Sequence, residues 1–120
     1  MAIMYLSKQK IIEVVDEIKN FLDDNNMSSG CKIYFNGVAY VFNKKYSGWY
    51  VIPDKNPEDY FKYVRSPNII SMSFKGDFCK ALNGLHPLSP TIRCKLKQLL
   101  EKYGLYYKLG DYWNLTCYEI

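Results

Sequence analysis

Residues 31–42, CKIYFNGVAYVF, contain the strongest structural signal in the chain, because the pair Asn36-Gly37 separates two apolar runs. An Asn-Gly pair in this position favours a two-residue turn with positive φ at both residues, and so predicts a β-hairpin. Counting outward from the turn predicts three facing pairs on one apolar face: Phe35 with Val38, Ile33 with Tyr40, and Cys31 with Phe42. The stretch therefore predicts a half-buried antiparallel hairpin around which the rest of the fold forms.

The chain after the hairpin extends it into a small sheet. Residues 49–52, WYVI, form a third apolar run that can pair with the strand at 38–42. The second face of the hairpin is mixed, since it carries these side chains: Lys32, Tyr34, Ala39 and Val41. Together the runs predict a three-stranded antiparallel meander with one clear core face.

One helix is expected before the meander and another after it. Ser7 precedes apolar residues that recur every three to four positions up to residue 22, which predicts an amphipathic N-terminal helix with Ser7 as its N-cap. Asn56 before Pro57 predicts the start of a second helix. This helix is expected to continue to about Arg65 and to turn three side chains inward: Tyr60, Phe61 and Val64.

The next part of the chain predicts one strand and two further helices. Alternating apolar and serine residues at 68–74 indicate a strand. A short helix is expected at 78–83, with Gly84 as its terminator. A longer helix is expected to begin with Ser89 as N-cap before Pro90 and to end at Gly104.

The last residues predict a C-terminal β-hairpin. Its strands are expected at 105–109 and 112–119, with a turn at Gly110-Asp111. In this register Leu109 faces Tyr112, and neither face of the hairpin is clearly apolar.

Length and composition limit the class of protein. A chain of 120 residues, 48% of them hydrophobic, predicts a single α+β domain with one core. The net charge of +4 is compatible with an anionic partner but is far from that of a dedicated nucleic-acid binder. Because the sequence shows neither a secretory signal nor a long apolar run, we expect a cytoplasmic protein without membrane contact.

The cysteines do not form a metal or disulfide pattern. Cys31, Cys79, Cys94 and Cys117 are isolated, and His86 is the single histidine, so no zinc site is expected. No glycine-rich phosphate loop is present, and we expect no cofactor. A small enzyme that uses Cys79 and His86 remains an alternative, because a thiolate beside an imidazole is a simple nucleophile. The ordinary interpretation is a buried thiol and a loop imidazole.

One short stretch combines cations with aromatic rings. The candidate binding residues there are Lys44, Lys45, Tyr46, Trp49 and Tyr50. Such a mixture can anchor a protein interface, or it can stack a base while a lysine holds a phosphate. The alternative roles are protection of a sheet edge by the lysines and a core position for Trp49. The second tryptophan, Trp113, completes the set of candidate binding residues.

Tyrosine is unusually abundant, with twelve residues in the chain. A small core cannot give every phenol hydroxyl a partner, so some tyrosines are expected at the surface, where they favour recognition. A homodimer formed through an edge strand would use the same surface and remains an alternative.

Three stretches resemble small orphan proteins carried by phages and conjugative elements of low-GC Gram-positive bacteria: residues 56–61 (NPEDYF), 70–74 (ISMSF) and 103–107 (YGLYY). The resemblance implies an accessory or anti-defence role, in which a compact protein blocks a host factor or sequesters its signal by binding. It carries no catalytic signature, and no site residue follows from it.

The leading hypothesis is therefore a non-enzymatic binding module, in an anti-defence role, that docks an aromatic and basic face on a host protein. The first alternative is a nucleotide or single-stranded nucleic-acid binder that uses Lys44, Lys45, Tyr46 and Trp49. Binding of that kind would weaken steeply with salt. The second alternative is the small Cys-dependent enzyme.

Overall fold

The structure is a computed structural model that describes residues 6–46, 48–53, 56–59, 61 and 69–120. Three α-helices, one 3₁₀ turn and six strands lie within these ranges. In chain order they are α1 (Lys8–Asp24), β1 (Lys32–Phe35), β2 (Val38–Asn43), β3 (Gly48–Pro53), the 3₁₀ turn (Pro57–Asp59), β4 (Ile70–Ser73), α2 (Gly76–Leu82), α3 (Ser89–Glu101), β5 (Leu105–Leu109) and β6 (Asn114–Glu119).

The six strands form one antiparallel sheet in the order β3-β2-β1-β4-β6-β5. β4, the strand predicted at 68–74, lies between β1 and β6 and joins the meander to the C-terminal hairpin. The helices pack on one face of the sheet and enclose the main core with it. The described residues thus form one α+β domain, as the sequence predicts.

The first hairpin is confirmed in its turn and its register. Asn36 has φ 48° and Gly37 has φ 77°, as a two-residue turn of this kind requires. The pairing counted outward from the turn is the one observed. At its far end the Phe42 N–H donates to the Cys31 carbonyl at 3.3 Å. β3 pairs with β2 over its whole length, so the predicted meander is also confirmed.

The predicted N-cap of α1 is confirmed. The Ser7 hydroxyl accepts a hydrogen bond from the Lys10 N–H at 3.1 Å, which caps the helix. Asn25 is the C-cap, and Asn26 follows it with φ 55°, in the left-handed region that asparagine tolerates. None of the described helices is long and apolar enough to cross a lipid bilayer.

The predicted cap of α3 needs a correction. The N-cap is Leu88 and Ser89 is already helical, although Pro90 lies in the first turn as expected. Ser89 is buried, and its hydroxyl accepts from the His86 N–H at 3.1 Å instead of capping the helix. The hydroxyl therefore fixes the connector before the helix.

The second predicted helix is described only at its beginning. The Asn56 side chain accepts from the Glu58 N–H at 3.1 Å, and Pro57–Asp59 forms a 3₁₀ turn. Phe61 is buried, as the inward position predicts. The rest of that prediction, including Tyr60, Val64 and the end at Arg65, lies outside the described residues.

The predicted register of the C-terminal hairpin is wrong. Leu109 faces Leu115 instead of Tyr112, and β6 begins at Asn114. The connection is longer than a two-residue turn, and it is closed by a bond from the Gly110 N–H to the Asn114 carbonyl at 3.1 Å. In the observed register β6 also pairs with β4 and turns Leu115 and Cys117 into the main core. Burial of these apolar side chains fixes the register more strongly than the local Gly-Asp sequence does.

The mixed face of the hairpin is partly buried, on the side of the sheet away from the helices. Tyr34, Ala39 and Phe61 form a second, smaller cluster there, with Trp113 packed against it. Ser71 and Thr116 are buried on the same face and share a hydrogen bond at 3.0 Å. The sheet therefore has buried side chains on both faces.

Candidate functional site

The β2–β3 turn places three of the predicted binding residues in solvent. Lys44, Lys45 and Tyr46 are exposed, and Tyr46 is 74% accessible. The Lys45 Nζ lies 5.6 Å from the centre of the Tyr46 ring. The Asn43 side chain accepts from the Lys45 N–H at 2.9 Å and so shapes the turn. The turn thus exposes a cation and an aromatic ring to solvent.

Trp49 and Tyr50 point to opposite faces of the edge strand β3. The Trp49 indole packs edge-to-face on Phe42, with 5.4 Å between ring centres, and its Nε1–H donates to the Asp23 carboxylate at 3.1 Å. The Ser28 hydroxyl donates to the same carboxylate. Tyr50 is exposed on the other face. Trp49 therefore attaches β3 to the end of α1 and is not free to stack on a ligand together with Tyr50.

Trp113 lies apart from the turn. Its ring packs edge-to-face on Phe61 with 5.6 Å between centres, and Phe61 packs in the same way on Tyr34 at 5.2 Å. Trp113 is only partly buried. The six predicted binding residues are thus divided between two places in the fold.

A cleft of about 650 Å³ opens beside Trp113, and we call it the aromatic cleft. Its lining consists of aromatic rings, two lysines, small residues and one thiol: Gly30, Lys32, Tyr34, Phe61, Ser73, Phe74, Lys75, Gly76, Cys79, Tyr112 and Trp113. Its volume falls within the range of about 300 to 1,000 Å³ that is typical of small-ligand sites.

The sheet register brings distant residues together at this cleft. Lys32 on β1 lies directly opposite Ser73 on β4, and Ser73 lies opposite Asn114 on β6. Residues that face each other in neighbouring strands point to the same side of the sheet, so these side chains form one row. Trp113 precedes Asn114 and lies at the end of this row. Its carbonyl accepts a hydrogen bond from the Phe74 N–H at 2.9 Å.

α2 holds the β5–β6 connection against the cleft. The Tyr112 carbonyl accepts from the Asn83 side-chain amide at 2.7 Å and from the Cys79 thiol at 3.3 Å. Tyr112 is 70% exposed and lines the cleft together with Trp113. The fold therefore fixes the backbone of one cleft wall and leaves its outermost ring accessible.

The described lining of the cleft carries two positive charges and no acid. Lys32 and Lys75 are both exposed, and within the described residues neither forms an ion pair. The Ser73 hydroxyl forms no hydrogen bond with any described residue. An anion at these residues would meet two ammonium groups.

The structure does not bring the candidate nucleophile and base into contact. The Cys79 thiol donates to the Tyr112 carbonyl, and the His86 Nδ1 accepts from the Leu88 N–H at 3.0 Å. Burial raises the pKa of the Cys79 thiol, which disfavours the thiolate that nucleophilic attack requires. In the described residues, no group of three side chains of the metal-binding types is placed to hold a metal ion.

Sequence reasoning missed most of the cleft. Lys32, Ser73 and Lys75 were not among the candidate residues, and Tyr34 and Phe61 were assigned only to faces of their elements. One signal was present in the sequence: Tyr34, Ala39 and Val41 make the second hairpin face too apolar to be a solvent face. That signal indicates that something covers the face, but it does not identify the partner segments.

The chain matches no protein-family profile, no curated protein and no solved structure, so the geometry of the cleft is the basis for any functional assignment.

Proposed function

We propose that this protein is a non-enzymatic binding module that captures a small anionic ligand with a planar ring in the aromatic cleft. The observation that carries the proposal is the cleft lining, whose described residues combine partly exposed rings with Lys32 and Lys75 and include no acid. Rings supply contact area to an apolar or planar group, and the lysines attract the charged group.

Two features favour binding over catalysis. The pKa of the Cys79 thiol is raised, and the thiol donates a hydrogen bond to the Tyr112 carbonyl. Within the described residues no hydrogen bond connects Cys79 to His86. In this proposal the anti-defence role that the sequence resemblance implies takes the form of sequestration, because a ligand held in the cleft is removed from solution.

Titration with 8-anilinonaphthalene-1-sulfonate, an anionic ring compound whose fluorescence rises on binding, tests the proposal. We expect binding at one site that weakens by up to about fivefold in Lys32→Gln and in Lys75→Gln, which is the effect of losing one partly exposed charge pair. Lys95→Gln is the control, because it removes an exposed lysine of α3 that does not line the cleft. Equal affinity in all three variants and the native protein would contradict the proposal.

A second candidate function is the docking of a host protein on the β2–β3 turn. It is favoured by exposed side chains on and beside the edge strand β3: Tyr46, Tyr50 and Val51. A double variant, Tyr46→Ala with Tyr50→Ala, should then lose a partner captured from host lysate while dye binding in the cleft is unchanged. Retention of that partner by the double variant would exclude the turn as its docking surface.

A further inference from the structure

We propose that the ligand of the aromatic cleft is a nucleoside monophosphate, with its phosphate at Lys32 and Lys75 and its base stacked beside Trp113 and Tyr112. This inference rests on the proposed function and specifies the ligand class of the same site. It is carried by the arrangement of charge, rings and hydroxyl along the cleft.

The phosphate end of the cleft is a corner where two chain segments meet. Lys32 lies opposite Ser73, and Lys75 follows two residues later along the same segment. The segments are in close contact, since a Cβ placed on Gly30 would lie 3.0 Å from the Cβ of Lys75. A Cβ at Gly76 would meet nothing within 4 Å, so the space beside this corner is open. Two ammonium groups and the Ser73 hydroxyl, which has no partner among the described residues, therefore border one open space that suits a phosphate dianion.

The opposite end of the cleft presents ring surfaces. Phe61 packs on Trp113 at an interplanar angle of 72°, and this edge-to-face contact leaves Trp113 partly exposed to the cleft. The neighbouring Tyr112 ring is largely exposed on a backbone that α2 holds in place. Exposed indole and phenol rings stack on any nucleobase, because every base has a π face.

The distance between the two ends suits a mononucleotide. Lys32 on β1 is two strand spacings, roughly 10 Å, from Asn114 on β6, whereas Ser73 on β4 is one spacing from it, roughly 5 Å. A phosphate, a ribose and a base together cover such a span when a lysine side chain reaches toward the phosphate. An anion without a ring would fill only the corner, and an uncharged ring would leave both ammonium groups unpaired.

A single nucleotide fits the charge distribution better than a nucleic-acid strand does. A strand needs a continuous positive track for successive phosphates. On α3 an acidic side chain breaks the row of positive charges, since Lys97 forms an ion pair with Glu101 at 3.7 Å. Lys102 likewise pairs with Glu17 from α1. The unpaired positive charge next to exposed rings in the cleft is confined to one corner.

Calorimetric titration with the four monophosphates AMP, GMP, CMP and UMP tests the inference, with adenosine and ribose 5-phosphate as the two halves of a ligand. We expect at least one monophosphate to bind more than about tenfold tighter than either half, because charge-assisted contacts and stacking are then combined. Lys32→Gln should weaken monophosphate binding by about tenfold and leave adenosine binding unchanged. Trp113→Leu should weaken monophosphate and adenosine binding alike. Lys95→Gln, at an exposed lysine outside the cleft, serves again as the control.

The outcomes separate this inference from the proposed function. Dye binding that depends on Lys32 and Lys75, without binding of any monophosphate, would overturn the nucleotide assignment and leave the binding module standing. Absence of both would overturn both. Tighter binding of a single-stranded oligonucleotide than of every monophosphate, with affinity falling steeply as salt rises, would also overturn the assignment, in favour of a strand. Unchanged affinity in Lys32→Gln would overturn the placement of the phosphate.

Discussion

The β2–β3 turn and the aromatic cleft both combine lysines with aromatic rings, yet they differ in enclosure. Tyr46 in the turn is 74% exposed, whereas Tyr34 in the cleft is 7% exposed. All the turn residues come from one short segment, while the cleft is assembled from β1, β4, α2 and the β5–β6 connection. Neighbouring residues in the sequence thus form the open turn, whereas the cleft needs residues from distant parts of the chain.

The two regions also differ in how their rings are held. The lysines of both regions are exposed, so water screens their charges in both places, whereas only the cleft has rings fixed by packing on one another. For this reason we propose the cleft, and not the turn that the sequence favours, as the small-ligand site. The following predictions test that contrast, beginning with the largest effect.

Phe61→Ala should have the largest effect on stability. Phe61 packs between Tyr34 and Trp113 and is 5% exposed, so its removal should lower the free energy of unfolding by about 3 kcal/mol. Tyr46→Ala in the turn should change it by no more than about 0.5 kcal/mol. Urea denaturation of both variants measures the difference. Equal losses would mean that the cleft rings are no better packed than the turn.

The two tryptophans should respond oppositely to replacement by phenylalanine. Trp49→Phe removes the hydrogen bond to Asp23 and should cost about 1 kcal/mol of stability without affecting dye binding. Trp113→Phe should change stability by less than Trp49→Phe, since its indole N–H has no partner within the described residues, and should weaken dye binding. Stability is measured by urea denaturation and binding by fluorescence. A loss of dye binding in Trp49→Phe would contradict the division of roles.

The stability of the fold at low pH should depend on the Glu17 carboxyl of α1, which lies away from both the turn and the cleft. Burial raises the pKa of the Glu17 carboxyl, but hydrogen bonds from Lys102 and Tyr103 and the Lys102 charge outweigh it, and the net pKa is lowered from 4.5. The charged form is therefore favoured in the folded state, so its stabilisation is complete above pH 4.5 and is lost as pH falls below that value. Thermal unfolding should show a smaller drop below pH 4.5 in Glu17→Gln than in the native protein.

The same contact should act in the opposite direction at high pH. The hydrogen bond to Glu17 raises the pKa of Tyr103 to about 12 from 10, which favours the neutral phenol in the folded state. Its stabilisation is complete below pH 10 and is lost between pH 10 and about 12. Tyr103→Phe should have no such loss in thermal unfolding. An identical alkaline profile in both proteins would contradict this assignment.

The smallest effect is expected in thiol reactivity. Cys94 is exposed, whereas Cys79 is partly buried and has a raised pKa, so iodoacetamide should modify Cys94 first at neutral pH. A bound cleft ligand should slow the modification of Cys79 further and leave that of Cys94 unchanged. Peptide mass spectrometry over time measures both rates. Faster modification of Cys79 would indicate an activated thiol and would favour the enzyme alternative.

The sequence predicts those elements that are determined by neighbouring residues. Asn36-Gly37 defines its turn through backbone preference alone, and the cap at Ser7 likewise depends on residues within one helical turn. The C-terminal hairpin was predicted in the wrong register because its pairing depends on β4 and on burial of Leu115. Local turn chemistry at Gly110 carries no information about that distant strand.

The candidate site could be predicted only in part, for the same reason. Trp113 was identified as a candidate binding residue, and it does line the cleft. Lys32 and Ser73 are far apart in the sequence and become neighbours only through the pairing of β1 with β4. No spacing rule within the sequence predicts that pairing. The surface tyrosines also lie in separate places, at the β2–β3 turn, in the cleft and on β5, instead of forming one face.

The position of β4 has a consequence for how the protein assembles during synthesis. The meander is synthesised before β4, so the edge of β1 stays unpaired until β4 has been made. β4 in turn lacks its second neighbour until β6 is complete. Nascent chains that end before β4 therefore present a bare strand edge, which is a template for pairing with another chain.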